Sequence, residues 1–319
     1  MEASRPAAGA EADDRAQLLA LPAAAFAPYW IATGKTNEYK LQAVAQAEGI
    51  LSGFFNPVNS VFYRRLDHEA ACAVLEWVHE LYRFLEKTTE WRYGKKHYEL
   101  LKAIFQYFIS PFSPYVSMDQ GGLMVCRMKK EYPFLRENSV FNILPLNVLW
   151  YQVLNIMNQL GQRYADIKMA TVTEGMIRKF QQSFHAGFWD EQKGVLKFAW
   201  HRDSDYSIVS GEGLCALQYT FDDLLYKQKK KRFLREIWEV YYNDKGVKET
   251  ARDNESLRPD YLPVYWRAFL KLNEYSPAKK KEVEGLLDAH IAAGRPVEIQ
   301  RNNPLYQMRL LEFLTELRS

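Results

Sequence analysis

A long hydrophobic stretch, Asn142–Gly161, carries apolar residues at the spacing of an α-helix. One stripe repeats at i, i+3, i+4 and i+7 and consists of Leu146, Leu149, Trp150, Val153, Leu154, Met157 and Leu160. The opposite side adds Val148, Tyr151 and Ile156. A helix that is hydrophobic nearly all round is normally buried all round, whereas the next segment, Ile167–Phe188, has one apolar stripe and polar residues elsewhere. The pattern predicts a buried helix followed by an amphipathic one.

This alternation recurs along the chain and predicts about eleven helices in hairpin pairs. The predicted segments are Arg15–Ala32, Asn37–Ser52, a helix capped by Asp67, Lys95–Ile109, Gly211–Tyr226, Phe233–Tyr242, Tyr261–Tyr275 and helices opened by Ser276-Pro277 and Asn303-Pro304. Phe188–Trp200 reads as a short hairpin that turns at Gly194. Since there is no regular 34-residue period, we expect an all-α closed toroid with buried inner and half-exposed outer helices.

Length and composition narrow the class of protein. The chain has 319 residues, 48% hydrophobic and 25% charged, and no linker that would divide it. We expect a disordered leader over residues 1–13 and a single domain over residues 14–319. A net charge of +3 does not indicate a nucleic-acid partner, and no apolar run is long enough for a membrane span. Three widely separated cysteines, Cys72, Cys126 and Cys215, are typical of a reduced, cytoplasmic protein.

The order of several motifs resembles the amylo-α-1,6-glucosidase domain of glycogen debranching enzymes, which is an (α/α)6 toroid. NVLWYQVL (147–154) resembles the family's NALWYNAL, FWDEQKGVL (188–196) resembles FWNEEKGYL, and RAQLLALP (15–22) resembles the opening RDTFIALP. SIVSGEGL (207–214) is similar to SIRPNQLL. The family also has a helix upstream of its opening motif, so this toroid is expected to lack one helix. The resemblance implies a glucosidase fold and an α-glucan or oligosaccharide ligand.

The family's functional positions are mostly replaced. Its Asp in the opening motif falls on Ala16, although Arg15 remains, and the Glu before its NALWY motif falls on Pro145. The Arg of SIRPNQ falls on Val209 and the Gln on Glu212. RPDYLPVYW (258–266) stands where the family has a His-Gln-Gly-Thr-Val-Trp stretch. The packing residues match and the sugar-contacting residues do not, which favours a catalytically degenerate protein that retains binding of a glucan or a protein partner.

The alternative is an active glycoside hydrolase of altered specificity, which needs two carboxylates. An inverting glycosidase uses an acid and a base roughly 6.5–9.5 Å apart. By resemblance, Glu298 in GRPVEIQRN is the candidate base. Asp119 in SMDQGG is the candidate acid in one alignment. The other alignment, which we favour, matches Asp119 to the family's preceding VDEDGLL turn and places the acid position near Met128 and Lys129. A third reading, a toroid acting as a sugar epimerase or cyclase, would need other inward polar residues.

The candidate substrate-binding residues are Arg15, Asp67, Trp150 and Trp189. Asp67 matches a substrate-side Asp of the family, but a helix N-cap explains it equally well. The two tryptophans could stack on glucose rings, although core packing is the commoner role. We predict no metal site and no cofactor, since HRDSD (201–205) matches no defined metal-ligand spacing, and we read KQKKKR (227–232) as a hydrated surface between two helices.

Overall fold

The computed structural model describes residues 53–62, 66–89, 91–110, 115–127, 140–201, 207–219, 224–251, 256–292 and 304–318, together with the single residues 17 and 49. The chain divides into two compact units. Unit 1 comprises Met1–Asp119, Met124–Ser139 and Val153–Met176. Unit 2 comprises Gln120–Leu123, Val140–Gln152 and Ile177–Ser319. The single domain over residues 14–319 stays a prediction. The leader and, apart from residues 17 and 49, the two predicted N-terminal helices lie outside the described residues.

Unit 1 is built on a helical hairpin. A two-stranded ladder of β1 (Phe55–Asn56) and β2 (Val61–Phe62) precedes α1 (His68–Thr88) and α2 (Trp91–Ile109), which pack together. Helix α1 begins at Asp67, whose side chain accepts a hydrogen bond from the Ala70 amide at 2.8 Å, and ends where Thr89 adopts a left-handed conformation. After α2, β3 (Val116–Met118) pairs with β4 (Met124–Arg127) in an antiparallel hairpin. Residues 116–127 therefore contain two short strands between the helices.

The predicted buried helix is confirmed as α3, Leu144–Arg163. It starts two residues late because Asn142 and Ile143 belong to β5 (Val140–Ile143). Leu149, Trp150 and Val153 are at most 3% exposed, and the opposite side of the helix is equally buried. The predicted amphipathic helix is α4, Ile167–Phe188, with Phe180 and Phe184 buried. The contrast between these two neighbouring helices follows from their apolar patterns.

The predicted hairpin is part of a small antiparallel sheet in unit 2. Strand β6 (Trp189–Asp190) pairs with β7 (Val195–His201) through a turn in which Gly194 has a φ of +73°. This conformation favours glycine because it has no Cβ. Strand β7 also pairs with β5 and with β8 (Ser207–Val209). The hairpin prediction is confirmed, and the sheet is larger than an all-α prediction implies.

The rest of unit 2 is mainly helical. In order it contains a 3-10 helix (Gly211–Leu214), α5 (Cys215–Tyr219), α6 (Lys227–Glu236), a π-helical turn (Ile237–Tyr241), β9 (Tyr242–Asn243), β10 (Gly246–Lys248), β11 (Leu257–Arg258), a second 3-10 helix (Pro259–Tyr261), α7 (Leu262–Leu272), α8 (Pro277–Ala292) and α9 (Pro304–Arg318). Strand β10 pairs with both β9 and β11. Helices α8 and α9 begin at Pro277 and Pro304, as predicted from proline's preference for the first helical position.

Two predicted elements were wrong in their bounds. Gly211–Tyr226 is not one helix, because a 3-10 turn precedes the short α5 and Leu224 and Leu225 are buried outside any helix. The KQKKKR run does not lie between helices but forms the first half of α6. Lysine, glutamine and arginine are good helix formers, so the charged face simply extends the helix towards its N-terminus.

Candidate functional site

Unit 2 contains a cluster of four charged residues: Glu212, Arg258, Asp260 and Arg309. Glu212 lies in the 3-10 helix that follows Ser210, whose hydroxyl accepts from the Glu212 amide at 3.1 Å. Arg258 ends β11, Asp260 follows it in the second 3-10 helix, and Arg309 lies on α9. Two segments in which the family's sugar-contacting motifs are replaced, 207–214 and 258–266, thus contribute to one cluster.

Asp260 is at the centre of this cluster. Its side chain is 2% exposed and receives two hydrogen bonds from Arg258, Nε to Oδ1 and Nη2 to Oδ2, both 3.1 Å long. Arg309 Nη1 donates to Asp260 Oδ2 at 2.7 Å and to the Asp260 carbonyl oxygen at 3.3 Å. Arg258 Nη1 also donates to the Glu212 carboxylate. Two guanidinium groups therefore hold two carboxylates in fixed positions.

The ion pairs set the ionisation of Asp260. Burial raises its pKa, but the charges of Arg309 and Arg258 outweigh burial and leave the pKa below its ordinary value. Asp260 is accordingly a carboxylate at neutral pH. A general acid needs a pKa near the working pH, which for an aspartate requires a raised pKa. The pKa of Asp260 is lowered instead, so Asp260 is unsuited to that role.

The surroundings of the cluster are aromatic and unreactive. The Tyr261 ring lies 5.1 Å from the Arg258 guanidinium carbon and 5.3 Å from that of Arg309. Burial raises the pKa of the Tyr261 hydroxyl and of the Cys215 thiol, so both stay protonated. A thiol without thiolate character is a poor nucleophile. The arrangement can order the chain and bind through charge, but the pKa shifts of Asp260, Tyr261 and Cys215 all lie in the wrong direction for acid–base or nucleophilic catalysis near neutral pH.

The two candidate aspartates in unit 1 have different surroundings. Asp67 is the N-cap of α1, and the hydrogen bond to the Ala70 amide accounts for its position. Asp119 directly follows β3 and is half-buried. Their roles in substrate binding and acid catalysis stay predictions.

The candidate tryptophans belong to unit 2 and are both buried. Trp150 is fully buried in α3, and Trp189 is 5% exposed. The Lys229 ammonium lies 4.8 Å from the centre of the Trp189 ring. Lys229 Nζ also lies 3.0 Å from Glu191 Oε1. This burial favours packing over sugar stacking, and substrate binding by either ring stays a prediction.

Arg15 and Glu298, the remaining candidates, lie outside the described residues, as do residues 202–206 of the HRDSD motif. No group of His, Cys, Asp and Glu side chains in the described ranges could hold a metal ion. Over the same ranges, the helices lack the combined length and apolar character of a bilayer crossing. Cys72, Cys126 and Cys215 form no disulfide.

Sequence reasoning missed Arg258, Asp260 and Arg309 as a group. A signal was available in RPDYLPVYW, where Arg258 and Asp260 interrupt an otherwise apolar segment. Charged residues in such a context are seldom fully buried unless they are paired. Nothing in the sequence identified Arg309 as the partner, because it lies 49 residues further on.

Comparison with known proteins tests the resemblance. The family model described as amylo-alpha-1,6-glucosidase matches residues 141–276. This range includes α3, the β6–β7 hairpin and three of the four residues of the charged cluster: Glu212, Arg258 and Asp260. The predicted resemblance is confirmed. Arg309, the fourth member of the cluster, lies outside the matched range. No curated protein sequence matches this chain.

Solved structures test the fold. Cellobiose 2-epimerase from Bacillus thermoamylovorans B4167 aligns with a TM-score of 0.53 and 15% identity over 86% of this chain and 74% of that chain. A GH78 family rhamnosidase of Bacillus sp. GL1 has a TM-score of 0.45 and 13% identity, and the match covers 73% of this chain but only 21% of the rhamnosidase. The epimerase confirms the mostly α-helical (α/α)6 toroid class. The described residues of this chain also contain short strands. Residues 141–276 therefore resemble the amylo-alpha-1,6-glucosidase family in sequence, and the chain shares its fold with the epimerase.

Proposed function

We propose that this protein acts in α-glucan metabolism by binding a glucan or oligosaccharide without hydrolysing it. The observation that carries the proposal is that the Asp260 and Glu212 carboxylates form ion pairs with arginine side chains. Each of these carboxylates lies in a segment where the amylo-α-1,6-glucosidase family has sugar-contacting residues. Here their charges are used to hold Arg258 and Arg309.

A second observation concerns the first turn of α3. The family's Glu before NALWY corresponds to Pro145, which has no group that can exchange a proton. The loss of one hydrogen-bonding contact to the transition state typically costs roughly 10²–10³-fold in rate. The replacements at Ala16 and Val209 remove further charged contacts. Together they support binding as the surviving activity, in a cytoplasmic setting that suits three cysteines without a disulfide.

Binding and hydrolysis can be measured separately. Maltooligosaccharides titrated into the protein in a calorimeter should give a saturable heat, and the protein should release no glucose from a limit dextrin above the enzyme-free rate. Glu298→Gln tests the remaining candidate base and should leave both results unchanged. Glu284→Gln, at an exposed position of α8, is the matched control.

Either half of the proposal can fail independently. Glucose release at about 1–10³ per second, the ordinary range for enzymes, would refute the loss of hydrolysis, above all if Glu298→Gln abolished it. The absence of any heat with maltooligosaccharides would refute glucan binding and favour a protein partner.

A further inference from the structure

A groove of about 550 Å³ lies within unit 2, away from the residues of the charged cluster. Side chains of α6 and the following π-helical turn form one wall, α8 forms the other, and α7 supplies the floor. Cavities of roughly 300–1,000 Å³ are typical of small-molecule sites. The groove is therefore large enough for a small ligand.

Its inner surface is a row of aromatic rings. The Trp238 and Tyr265 centroids are 5.9 Å apart with an interplanar angle of 23°, and those of Tyr265 and Phe269 are 6.2 Å apart with an angle of 16°. The side chains of Leu272 and Leu286 continue the apolar lining. Trp238 is 44% exposed, so its ring offers an apolar face to a ligand. A ligand body that covered this row would gain hydrophobic and dispersion energy.

The charges that line the groove are mostly positive. Four cationic residues, Lys231, Arg232, Arg235 and Lys279, face a single carboxylate, Glu282. Lys279 Nζ contacts Glu282 at 2.7 Å, so these two charges offset each other. Arg232 donates to the Gln192 carbonyl oxygen at 2.9 Å. Arg235 Nε lies 3.9 Å from Glu239 Oε1, but both side chains are mostly exposed and this pair is weak. Lys231, one turn before Arg235 on the exposed side of α6, adds a further positive charge at this wall.

A glucan fits this lining poorly. Its hydroxyl groups would meet Leu272, Val283 and Leu286, and polar groups buried without a hydrogen-bond partner cost free energy. A ligand with an apolar body and one anionic end would match both the aromatic inner surface of the groove and the cationic wall formed by α6. We propose that the groove binds a small amphipathic acid, with its acyl or aromatic body on Trp238 and Tyr265 and its carboxylate beside Lys231 and Arg235.

This inference is independent of glucan binding and can be tested with the intact chain. Decanoate, used below its micelle concentration, is titrated calorimetrically, and decyltrimethylammonium serves as the probe of opposite charge. We expect saturable binding of decanoate alone. Trp238→Ala should weaken it about tenfold or more through loss of the aromatic face, and the double variant Lys231→Glu/Arg235→Glu should weaken it similarly through charge reversal.

Two matched variants separate the groove from general surface effects. Tyr226→Ala removes an aromatic residue that is 65% exposed outside the groove, and Lys193→Glu reverses an exposed charge in the β6–β7 turn. Both should bind decanoate like the parent. All variants are at exposed positions, so the thermal midpoint should stay near that of the parent, which excludes unfolding as the cause of lost binding.

Four results would overturn the assignment. Decanoate could fail to bind the parent, or it could bind the groove variants and the parent equally. Decyltrimethylammonium could bind as tightly as decanoate, which would leave the cations without a role. Displacement of decanoate by maltoheptaose would assign the groove to the glucan. Because maltooligosaccharide binding is measured separately, failure here leaves the proposed function standing.

Discussion

Replacing Arg309 by methionine should destabilise the protein strongly, because Asp260 depends on it. Methionine fills much of the same volume but removes the 2.7 Å contact to Oδ2. The Asp260 side chain is 2% exposed and that of Arg309 is 8% exposed, so solvent cannot replace the lost partner. Removing one partner of a buried ion pair typically costs about 3–5 kcal/mol. Since Arg258 keeps its two hydrogen bonds to Asp260, we expect a loss of about 3 kcal/mol, at the low end of that range.

Urea unfolding at pH 7 provides the measurement, as a lower midpoint with an unchanged m-value. Lys227→Met is the matched control, since it removes an ion pair to Glu274 in which both side chains are at least 70% exposed. Exposed pairs contribute little to stability. The double variant Asp260→Asn/Arg309→Met should lose less than the sum of the single losses, because both single changes disrupt the same Asp260–Arg309 contact.

The pH dependence gives a second test of the same contact. The pKa of Asp260 is depressed in the folded protein, so its contribution is complete above the ordinary carboxyl pKa and is lost as the pH falls through the depressed value. Arg309→Met removes the largest cause of the depressed pKa, so the folded pKa moves back towards the ordinary carboxyl value and less stability should be lost as the pH falls. A midpoint for Arg309→Met equal to that of Lys227→Met, with an unchanged pH profile, would refute the argument.

Three further predictions concern stability. Trp150→Ala should cost about 3–5 kcal/mol in urea unfolding, because the indole is fully buried, and a cost within experimental noise would contradict that burial. Gly175→Ala on α4 should stabilise by about 0.5–1 kcal/mol, since a Cβ there meets nothing within 4 Å, whereas Gly187→Ala should destabilise because its Cβ would lie 2.6 Å from a Trp200 ring atom. Burial raises the pKa of Glu80, but Arg83, together with His79, outweighs it and lowers the pKa to about 2, which corresponds to about 3 kcal/mol of stabilisation. That stability should be lost between about pH 4.5 and pH 2 in the parent, and Arg83→Met should move the acid midpoint upwards, a shift whose absence would contradict the ion pair.

Local patterns in the sequence were sufficient to predict much of the helical framework. The period of the apolar residues in 142–161 and 167–188 distinguished the buried α3 from the amphipathic α4. Apolar residues all round a helix indicate burial on all sides, whereas a single apolar stripe indicates burial on one side. The helix N-cap at Asp67 and the hairpin turn at Gly194 could also be predicted, since each depends on one residue and its immediate neighbours. The glucosidase-like fold could be predicted because the motifs that supply packing residues occur along the chain in the same order as in the amylo-α-1,6-glucosidase family.

The tertiary structure alone decided which charges meet. Arg309 and Asp260 are 49 residues apart, and no local pattern pairs them. The ionisation of Asp260 depends on both partners and on burial, so its unsuitability as a general acid could not be predicted from the residue itself. The groove likewise arises where three helices converge, with Trp238 and Tyr265 brought together from separate elements. Pairing, pKa and cavities are properties of neighbours in space, and the sequence specifies those neighbours only through the complete fold.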